Sequence, residues 1–412
     1  IPICMTASIW QQAHQKQETA YDVIVVGGGI VGCSTAYWLG RRAPSLDVAL
    51  LEARTLGAEA SGRNAGFVLQ GTHADYRTDV ERYGKRTARR LWQFTRENRD
   101  LLAAELRGSA FSWRADGALV AAGTAEEDER LRTSLPHLRA AGAPAVHLDA
   151  EETNDRIGAS GFHGSLFVTT GAAVNPLHLV QHVAAKSGAD VHTQHPVEHV
   201  RWGETGAVLG TPDRHFRAPR VVFALGPALP ELVPAVSSVV RSVRAQMLAT
   251  APADAVRIPV PVYSHRGGFY VRQREDRRLL VGGGRHAHRA AEETSRDATT
   301  PAVQATIERY LHTHFPWSPS LGIEQRWSGT MGFSPDGRPV VGRVPEHPEG
   351  VFATGFTGHG MGYGFRMGRL LADLVSANET PEALDLFAPS RFEDPDAKQA
   401  GAAPDRSHPT DS

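Results

Sequence analysis

Short apolar runs alternate with amphipathic segments along most of this 412-residue chain. The first two runs, at 22–26 and 47–51, have the composition of buried strands, and the segment 30–41 between them has the periodicity of a helix. Because a strand, a helix and a second strand follow one another directly, this part of the chain predicts a parallel βαβ unit.

The later runs extend this pattern and then change it. Helical periodicity predicts helices at 80–110, 126–141, 177–187 and 366–376. Apolar runs predict strands at 117–121, 190–192, 197–200, 220–226 and 350–356. Three closely spaced runs, at 239–248, 268–271 and 278–281, are typical of antiparallel strands. The chain therefore predicts an α/β fold, α+β overall, with a largely parallel sheet and a separate antiparallel one.

The turn between the first strand and the first helix has the form G-x-G-x-x-G, at Gly27, Gly29 and Gly32. In such a turn the first glycine permits the tight bend, the second lets a pyrophosphate approach the backbone, and the third lets helix and strand pack closely. Glu52 ends the second apolar run about 20 residues later, where a carboxylate binds the hydroxyls of an adenosine ribose. Together these features favour a dinucleotide-binding enzyme over a glycine-rich turn without a ligand.

A second segment rich in small residues, 57–67, directly follows the strand that ends at Glu52. It places a hydroxyl, a guanidinium and an amide close together at Ser61, Arg63 and Asn64. One interpretation is an ordinary surface loop. The other is a loop along which the rest of the dinucleotide passes, since small residues allow backbone contact with it.

Composition sets the outer limits of the fold and of its partners. The chain is long enough for two domains or one large one, and 41% of its residues are hydrophobic. A formal net charge of −1, without runs of like charge, favours neither nucleic acid nor an anionic membrane surface. No apolar stretch approaches the roughly 20 residues that a membrane span needs. Two cysteines cannot build a disulfide framework, which favours a reducing cytoplasm.

The nineteen histidines raise the question of a metal site. His286 with His288, and His312 with His314, have the i, i+2 spacing that presents two imidazoles on one side of a strand. No third ligand of fitting geometry is visible in the sequence, so solvated histidines are the favoured interpretation and no metal is predicted.

Six separated motifs occur in one order that resembles a known family. They are the glycine turn; Ser61-Gly62-Arg63-Asn64-Ala65-Gly66; Val174-Asn175-Pro176; Ala224-Leu225-Gly226; Trp327-Ser328-Gly329 with the Asp336–Gly342 segment; and Gly355-Phe356-Thr357-Gly358-His359-Gly360. Over roughly residues 21–387 the chain resembles the FAD-dependent amine and amino-acid oxidoreductases, which include D-amino-acid oxidase, glycine oxidase, sarcosine oxidase and gamma-glutamylputrescine oxidase.

The resemblance implies a Rossmann-like FAD-binding domain with an inserted antiparallel-sheet substrate domain. The FAD-binding domain is expected at 21–80, 150–235 and 325–387, and the substrate domain at 81–149 and 236–324. A flexible leader is expected at 1–20 and a disordered tail at 388–412. The cofactor-binding residues implied are Gly27, Gly29, Ile30, Gly32, Glu52, Ala53, Ser61, Arg63, Asn64, Ala65, Gly66, Val197, Ala224, Gly226, Gly358, His359, Gly360 and Met361.

The chemistry implied is oxidation of a C–N bond by hydride transfer to flavin N5, followed by hydrolysis of the imine. Catalytic roles are expected for Tyr270, Arg272, Met331 and His359. Tyr270 aligns with a substrate-facing tyrosine of glycine oxidase, and strand alternation puts Arg272 on the same side, so both are expected to bind the polar group of the substrate. An exposed tyrosine and a solvated arginine are the alternative.

Departures from the family pattern bear on cofactor and substrate. Thr330 stands where sarcosine oxidase has its flavin-linking cysteine, so non-covalent FAD is expected, although a histidine link through His73 or His359 stays open. Met331 and Gly362 stand where relatives carry cations, which favours an amine or a substrate whose charge lies farther from the reacting carbon.

The electron acceptor and the class of activity stay open at this level. The strand at 278–281 lacks the lysine that sarcosine oxidase uses to activate oxygen, so either O2 or another acceptor is compatible with the sequence. The alternatives to an amine-oxidising enzyme are an FAD-dependent 2-hydroxyacid oxidoreductase and a non-catalytic flavoprotein that acts as an assembly factor.

Overall fold

A computed structural model describes residues 17–72, 74–108, 113–376 and 381–392. Its strands are β1 (Gln17–Ala20), β2 (Val23–Val26), β3 (Val48–Leu51), β4 (Phe67–Val68), β5 (Ala118–Ala122), β6 (Ala145–Leu148), β7 (Gly164–Val168), β8 (Ala172–Ala173), β9 (Asp190–His192), β10 (His199–Gly203), β11 (Gly206–Gly210), β12 (Arg214–Ala218), β13 (Arg220–Phe223), β14 (Arg241–Thr250), β15 (Val262–Ser264), β16 (Phe269–Gln273), β17 (Leu279–Gly283), β18 (Ile323–Phe333), β19 (Val340–Val344) and β20 (His347–Thr354). Its helices are α1 (Ile30–Arg42), α2 (Ala60–Arg63), α3 (Tyr76–Glu105), α4 (Ala125–Ala140), α5 (Ala150–Ile157), α6 (Pro176–Ala185), α7 (Leu229–Leu232), α8 (Arg289–Glu292), α9 (Pro301–His314) and α10 (Gly360–Ser376).

A six-stranded sheet contains the two strands on either side of helix α1, with the strand order β19-β20-β13-β2-β3-β9. Its strands run parallel except β19, which pairs antiparallel with β20 at one edge. Every residue of β2 is buried because the sheet is covered on both sides. Val23 and Val25 pack into a core shared with α1 and α10, whereas Ile24 and Val26 pack against the four-stranded sheet β1-β12-β11-β10.

Helix α10 lies against α1 at very short range. A Cβ atom at position 364 would lie 2.7 Å from Ile30 Cγ2, and one at position 368 would overlap Ser34. Gly364 and Gly368, one turn apart, therefore form a flat strip that lets the two helix backbones approach. This packing fixes the start of α10 relative to the turn between β2 and α1.

The second large sheet has eight strands, in the order β18-β14-β17-β16-β15-β5-β7-β6. One of its faces is an apolar core, where Leu248, Val271 and Val281 pack against Val303 and Ile307 of α9. The sequence-based prediction omitted α9, although Pro301 at its start and apolar residues at 303, 307 and 311 are helix signals. The opposite face of the sheet points toward the six-stranded sheet.

The domain boundaries predicted from the sequence cross the large sheets. Strand β7, helix α5 and the 323–333 strand lie with the eight-stranded sheet, and they fall in the ranges 150–235 and 325–387 that the sequence assigned to the FAD-binding domain. Residues 17–20 of the predicted leader pair with β12, and residues 389–392 of the predicted tail form a short helical turn. Residues 1–16, the sequence position of His73, and the rest of the tail lie outside the described residues.

Asp336, from the Asp-Gly-Arg-Pro motif, holds the 389–392 turn in place. Its carboxylate accepts hydrogen bonds from Arg391 Nε at 2.8 Å, Arg391 Nη2 at 3.0 Å and Arg338 Nε at 2.8 Å. Although burial opposes ionisation, the hydrogen bonds and charges of Arg391 and Arg338 hold the pKa of Asp336 below its ordinary value. The motif is thus a structural anchor between β18 and the end of the described chain.

Replacing Asp336 with asparagine should lower the free energy of unfolding by roughly 3–5 kcal/mol at neutral pH, because Arg391 is left buried without its counter-ion. Since the folded pKa lies below the unfolded one, the carboxylate stabilises the fold above about pH 4, and that contribution is lost as the pH falls through the folded value. Urea unfolding of both proteins should therefore show a difference that shrinks in acid.

The control for this variant is Asp116→Asn, which breaks an ion pair with Arg114 whose aspartate side chain is 57% exposed. An exposed pair of this kind contributes at most about 1 kcal/mol. Equal losses in the two variants, or a D336N loss that persists unchanged at low pH, would contradict the anchoring role.

Candidate cofactor and active site

The carboxyl ends of the parallel strands meet at one edge of the six-stranded sheet. Gly27 follows β2, Glu52 follows β3, Ala224 follows β13 and Gly355 follows β20. In open α/β sheets ligands bind in the crevice outside this edge. The cofactor motifs that are far apart in sequence therefore face one crevice.

The glycine turn has the geometry that the sequence motif predicts. Gly27 has a φ of 111°, which disfavours other residues, and a Cβ there would lie 2.5 Å from the Ala224 carbonyl oxygen. A Cβ at Gly32 would overlap the Gly27 carbonyl oxygen, so α1 packs directly on the turn. A Cβ at Gly29 would meet only Ser61 Oγ, at 2.9 Å.

This turn fits a pyrophosphate. A Cβ at position 29 would project toward the Ser61 side chain, so glycine keeps the space beside the first turn of α1 clear of a side chain. We call this space the glycine cradle. The first N–H groups of a helix have no partner within it, and they carry partial positive charge. Backbone amides and the Ser61 hydroxyl can therefore hold an anionic linker here.

Glu52 is oriented by two backbone amides. Gly28 N donates to its Oε2 at 2.7 Å, and Arg54 N donates to its Oε1 at 2.8 Å. Each oxygen keeps a further lone pair for a ribose hydroxyl. Since His195 N donates to the Glu52 carbonyl oxygen at 3.0 Å, the segment leading to Val197 runs beside this carboxylate. Ala53 is exposed next to it.

The loop between β3 and β4 is held by its own side chains. Ile30 N donates to Ser61 Oγ at 3.0 Å, which joins the loop to the first helix. Asn64 Nδ2 donates to the carbonyl oxygens of Ala60 and Ser61, and its Oδ1 accepts from Gly66 N at 2.7 Å. The Asn64 side chain therefore shapes the loop, and its predicted contact with the cofactor stays a prediction.

Arg63 joins this loop to the eight-stranded sheet. Its Nη1 donates to Asp297 Oδ2 at 2.6 Å and to the Ser328 carbonyl oxygen at 3.0 Å, and its Nε donates to the Ala58 carbonyl oxygen. Its own carbonyl oxygen accepts from Trp327 Nε1 at 2.8 Å. The guanidinium therefore links the two halves, and its contact with the cofactor stays a prediction.

One face of the eight-stranded sheet covers the crevice. Register places Tyr263, Tyr270, Gly282, Met247 and Trp327 opposite one another in a single row across five strands. In β18 the alternating residues that share this side with Trp327 are Gly329, Met331 and Phe333. We call the row and these three residues the inner face. Trp327 donates to Arg63, and Gly329 packs on the Arg63 side chain, so the inner face points at the loop between β3 and β4. We call this loop, residues 52–66, the cofactor loop.

Aromatic rings wall one end of the inner face. Tyr263 and Tyr270 are stacked with centroids 6.2 Å apart, and Phe67 meets them edge-on at 6.5 and 6.2 Å. A Cβ at Gly282 would overlap the Tyr270 ring, so this glycine lets the ring lie flat over β17. Burial raises the pKa of both tyrosines, which therefore stay neutral hydrogen-bond donors at ordinary pH.

Arg272 makes contacts that its sequence position did not predict. It is 5% exposed, and its Nη1 donates to the carbonyl oxygens of Ala65 and Val174, each at 2.9 Å. Burial lowers its pKa to about 10, so it remains charged at neutral pH. Strand alternation puts it on the side of Tyr270, where its guanidinium holds the carbonyl groups of Ala65 and Val174. These contacts favour a positioning role for Arg272, and its predicted role in substrate binding stays a prediction.

The turn after β20 leads into α10 beside Met331. A Cβ at Gly358 would lie 3.7 Å from Met331 Sδ, and His359 is half-buried one residue before the helix begins at Gly360. Met361 is the second residue of α10, which puts it in the positively polarised first turn. Thr330 points away from the inner face, toward the Ser295 carbonyl oxygen at 3.4 Å.

A family model described as FAD dependent oxidoreductase matches residues 22–374. The chain belongs to this family. FAD is therefore its cofactor, and the glycine cradle, the Glu52 carboxylate and the open turn at Gly358 fit that molecule. Gly329, Thr330 and Met331 offer no thiol for a covalent link, in agreement with non-covalent FAD.

Relatives of this FAD dependent oxidoreductase cover almost the whole chain. Glycine oxidase of Geobacillus kaustophilus (strain HTA426) is 29% identical over 389 residues, which is 90% of this chain and 97% of the relative. Gamma-glutamylputrescine oxidoreductase of Escherichia coli (strain K12) is 27% identical and covers 89% of this chain and 86% of its own length. The crystal structure of glycine oxidase from Geobacillus kaustophilus has a TM-score of 0.78 at 24% identity, covering 90% and 99% of the two chains. The fold class and the family predicted from sequence are confirmed.

Sequence reasoning missed Phe67, Tyr263, Arg285 and Phe333. Arg285 lies over the Phe333 ring, with Cζ 4.9 Å from the centroid, at the end of the inner face. Tyr263 belongs to a three-residue strand, which is too short to show an alternating pattern and is preceded by prolines at 259 and 261. The contacts of these four residues depend on strand register and on a loop that crosses between the sheets, so local patterns carry no signal for them.

The histidine pairs lie on different elements from those assumed. His312 and His314 are in helix α9, where residues two apart point in different directions, and His286 and His288 are in a short helical turn. Within the described part of the chain no three His, Cys, Asp or Glu side chains group as metal ligands. Over the same ranges, each helix is too short or too polar to span a bilayer.

Proposed function

We propose that the chain oxidises the C–N bond of a small amine or amino-acid-like substrate in the space between the inner face and the crevice. The observation that carries this proposal is the meeting of the glycine turn, the open turn at Gly358 and the inner face at one edge of the six-stranded sheet. When bound there, FAD supplies the acceptor for the hydride of the carbon next to nitrogen, and the resulting imine hydrolyses in water.

The backbone and side chains of the protein hold the cofactor and favour negative charge at one end of it. Gly27, Gly29, Gly32 and Glu52 hold the nucleotide half of FAD. The 61–66 backbone, together with Ala224 and Gly226, lines the remaining part of the cofactor. Val197 lies at the adenosine end. The N-terminus of α10 at Gly360, with His359 and Met361, favours negative charge beside it.

The substrate side is apolar, with a few polar groups. Phe67, Tyr263 and Tyr270 form a wall that excludes water and offers neutral phenol donors. Met331 lies next to Gly358. We expect these groups to position a small substrate and to lower the cost of charge separation during hydride loss by preorganisation rather than by a dedicated nucleophile.

The relatives support this choice of chemistry, because a glycine oxidase and a gamma-glutamylputrescine oxidoreductase are named for nitrogen-bearing substrates. We propose O2 or another small acceptor for the electrons. The cytoplasm is the proposed compartment, on the grounds of the two cysteines, of which Cys33 is buried in α1.

Anaerobic screening of the FAD-loaded protein tests the proposal. We expect amines or amino acids to bleach the flavin absorbance and to release ammonia or an alkylamine. Bleaching by 2-hydroxyacids alone would replace the proposal with the hydroxyacid alternative, and resistance to every metabolite would favour the non-catalytic one. Admitting air afterwards distinguishes the acceptors, since rapid reoxidation identifies O2.

A further inference from the structure

We propose that Asp297 is a positioning residue that holds the cofactor loop closed over bound FAD, so that the ion pair between Asp297 and Arg63 opens before FAD leaves. The inference rests on the path of FAD along the cofactor loop that the proposed function assumes. It adds to that function the control of cofactor release by a segment beside the eight-stranded sheet, residues 292–300, which we call the strap.

Arg63 passes around the edge of the eight-stranded sheet. Strand β18 lies at one edge of that sheet, and the carbonyl oxygen of Ser328 accepts from Arg63 Nη1 at 3.0 Å rather than from a further strand. The Cβ and Cδ atoms of Arg63 lie against Gly329 of the inner face, where a Cβ would be 3.4 and 3.7 Å away. Arg63 Nη1 then reaches Asp297 Oδ2 at 2.6 Å. A single side chain therefore spans both sides of β18.

Asp297 lies on the side of β18 opposite to the inner face. Ser328 alternates with the inner-face residues Trp327 and Gly329, and its hydroxyl donates to Asp297 Oδ1 at 2.6 Å. The hydrogen bonds from Ser328 and Arg63 lower the pKa of Asp297, so the carboxylate is ionised at neutral pH. One carboxylate thus joins the strap, β18 and the cofactor loop.

Two buried side chains of β14 fix the strap on either side of Asp297. Arg244 donates to both carboxylate oxygens of Glu292, at 2.9 and 2.6 Å, and both residues are buried. Gln246 Oε1 accepts from Thr300 N at 2.9 Å, and Gln246 Nε2 donates to Thr300 Oγ1 at 2.9 Å. Asp297 is therefore presented to the cofactor loop between two anchored points.

Asp297 supplies the charged contact between the strap and the cofactor loop. Trp327 and the Ser328 carbonyl oxygen also bind Arg63, but both are neutral groups. The charge of Arg54, which belongs to the cofactor loop as well, also acts on Asp297. Hydrogen bonds to a charged group contribute more than those between neutral groups, so we expect the Asp297 carboxylate to limit how often the loop opens.

The test uses Asp297→Ala in the FAD-loaded protein, with the rate of FAD dissociation measured from the fluorescence of released flavin after dilution. We expect the rate to rise by about tenfold while the urea midpoint of the apoprotein stays unchanged. About 0.5 M potassium chloride should speed release from the wild type more than from D297A, because salt screens an exposed ion pair. In an Arg63→Met background, D297A should have no further effect, because the partner of the carboxylate is already absent.

Glu293→Ala is the matched control, because Glu293 lies in the same strap, pairs with Arg241 and has a side chain 48% exposed, close to the 49% of Asp297. It should release FAD at the wild-type rate. The inference is overturned by a wild-type rate in D297A, by equally fast release from D297A and E293A, by equal salt effects in D297A and the wild type, or by a further gain in rate from D297A in the R63M background. These readouts need no substrate, so they are separate from the proposed function, which fails if no nitrogen compound bleaches the flavin.

Discussion

Replacing Gly29 with valine should give a folded chain that no longer retains FAD. The φ of −81° at Gly29 suits any residue, and a Cβ there would lie 2.9 Å from Ser61 Oγ and 3.8 Å from Ser61 Cβ, so the Ser61 side chain shifts while the backbone can stay in place. The valine side chain would nevertheless fill the cradle that the pyrophosphate needs beside α1. We expect the FAD dissociation constant to rise at least about 100-fold, measured by flavin fluorescence titration of apoprotein, with an unchanged circular dichroism spectrum.

Two further glycines make this experiment specific. Gly203 lies in β10, where a Cβ would meet only the Gly206 carbonyl oxygen at 3.8 Å, so Gly203→Val should bind FAD normally. Gly32→Ala would overlap the Gly27 carbonyl oxygen and should lose stability as well as cofactor. Wild-type affinity in G29V would mean that the cofactor linker does not pass this turn.

Replacing Arg272 with leucine should destabilise the protein and loosen its cofactor loop. The variant leaves the carbonyl oxygens of Ala65 and Val174 buried without a hydrogen-bond donor. The guanidinium also packs closely on the loop, since a Cβ on Gly66 would lie 2.8 Å from it. Loss of the donor for two buried carbonyl oxygens should lower the free energy of unfolding by roughly 2–5 kcal/mol. Urea unfolding and FAD titration measure the two effects.

The Arg272→Leu variant also distinguishes a role in holding the cofactor loop from a role in binding the substrate. Arg274→Leu is the control, since Arg274 lies two residues along, its side chain is 42% exposed, and it pairs only with Asp276 among the contacts described. It should change the stability by less than about 1 kcal/mol. A stable R272L variant with normal FAD affinity and a raised KM would restore the substrate-binding role first predicted from strand alternation.

The nucleotide half could be predicted from the sequence because its signals are local. The run at 22–26, the glycine turn and Glu52 lie within about thirty residues of one another, and each has a single physical reason. Strand ends predicted to 226 and 356 were too long by a few residues, since the chain leaves the sheet at Phe223 and Thr354 to form the cofactor turns.

The substrate half could not be predicted in the same way. The row that contains Tyr263, Met247 and Trp327 exists only because strands far apart in sequence pair in one register. Arg272 shows the limit most clearly. Its side of the strand followed from alternation, but its partners come from 65 and 174, which no local pattern connects with it.

The most direct test of the central claim is a titration of purified apoprotein with FAD and, separately, with FMN. We expect the adenosine ribose at Glu52 and the pyrophosphate at Gly29, so FAD should bind saturably at one molecule per chain and much more tightly than FMN. If FAD is not taken up, or binds no better than FMN, then the crevice at the carboxyl edge of the six-stranded sheet is not the cofactor site.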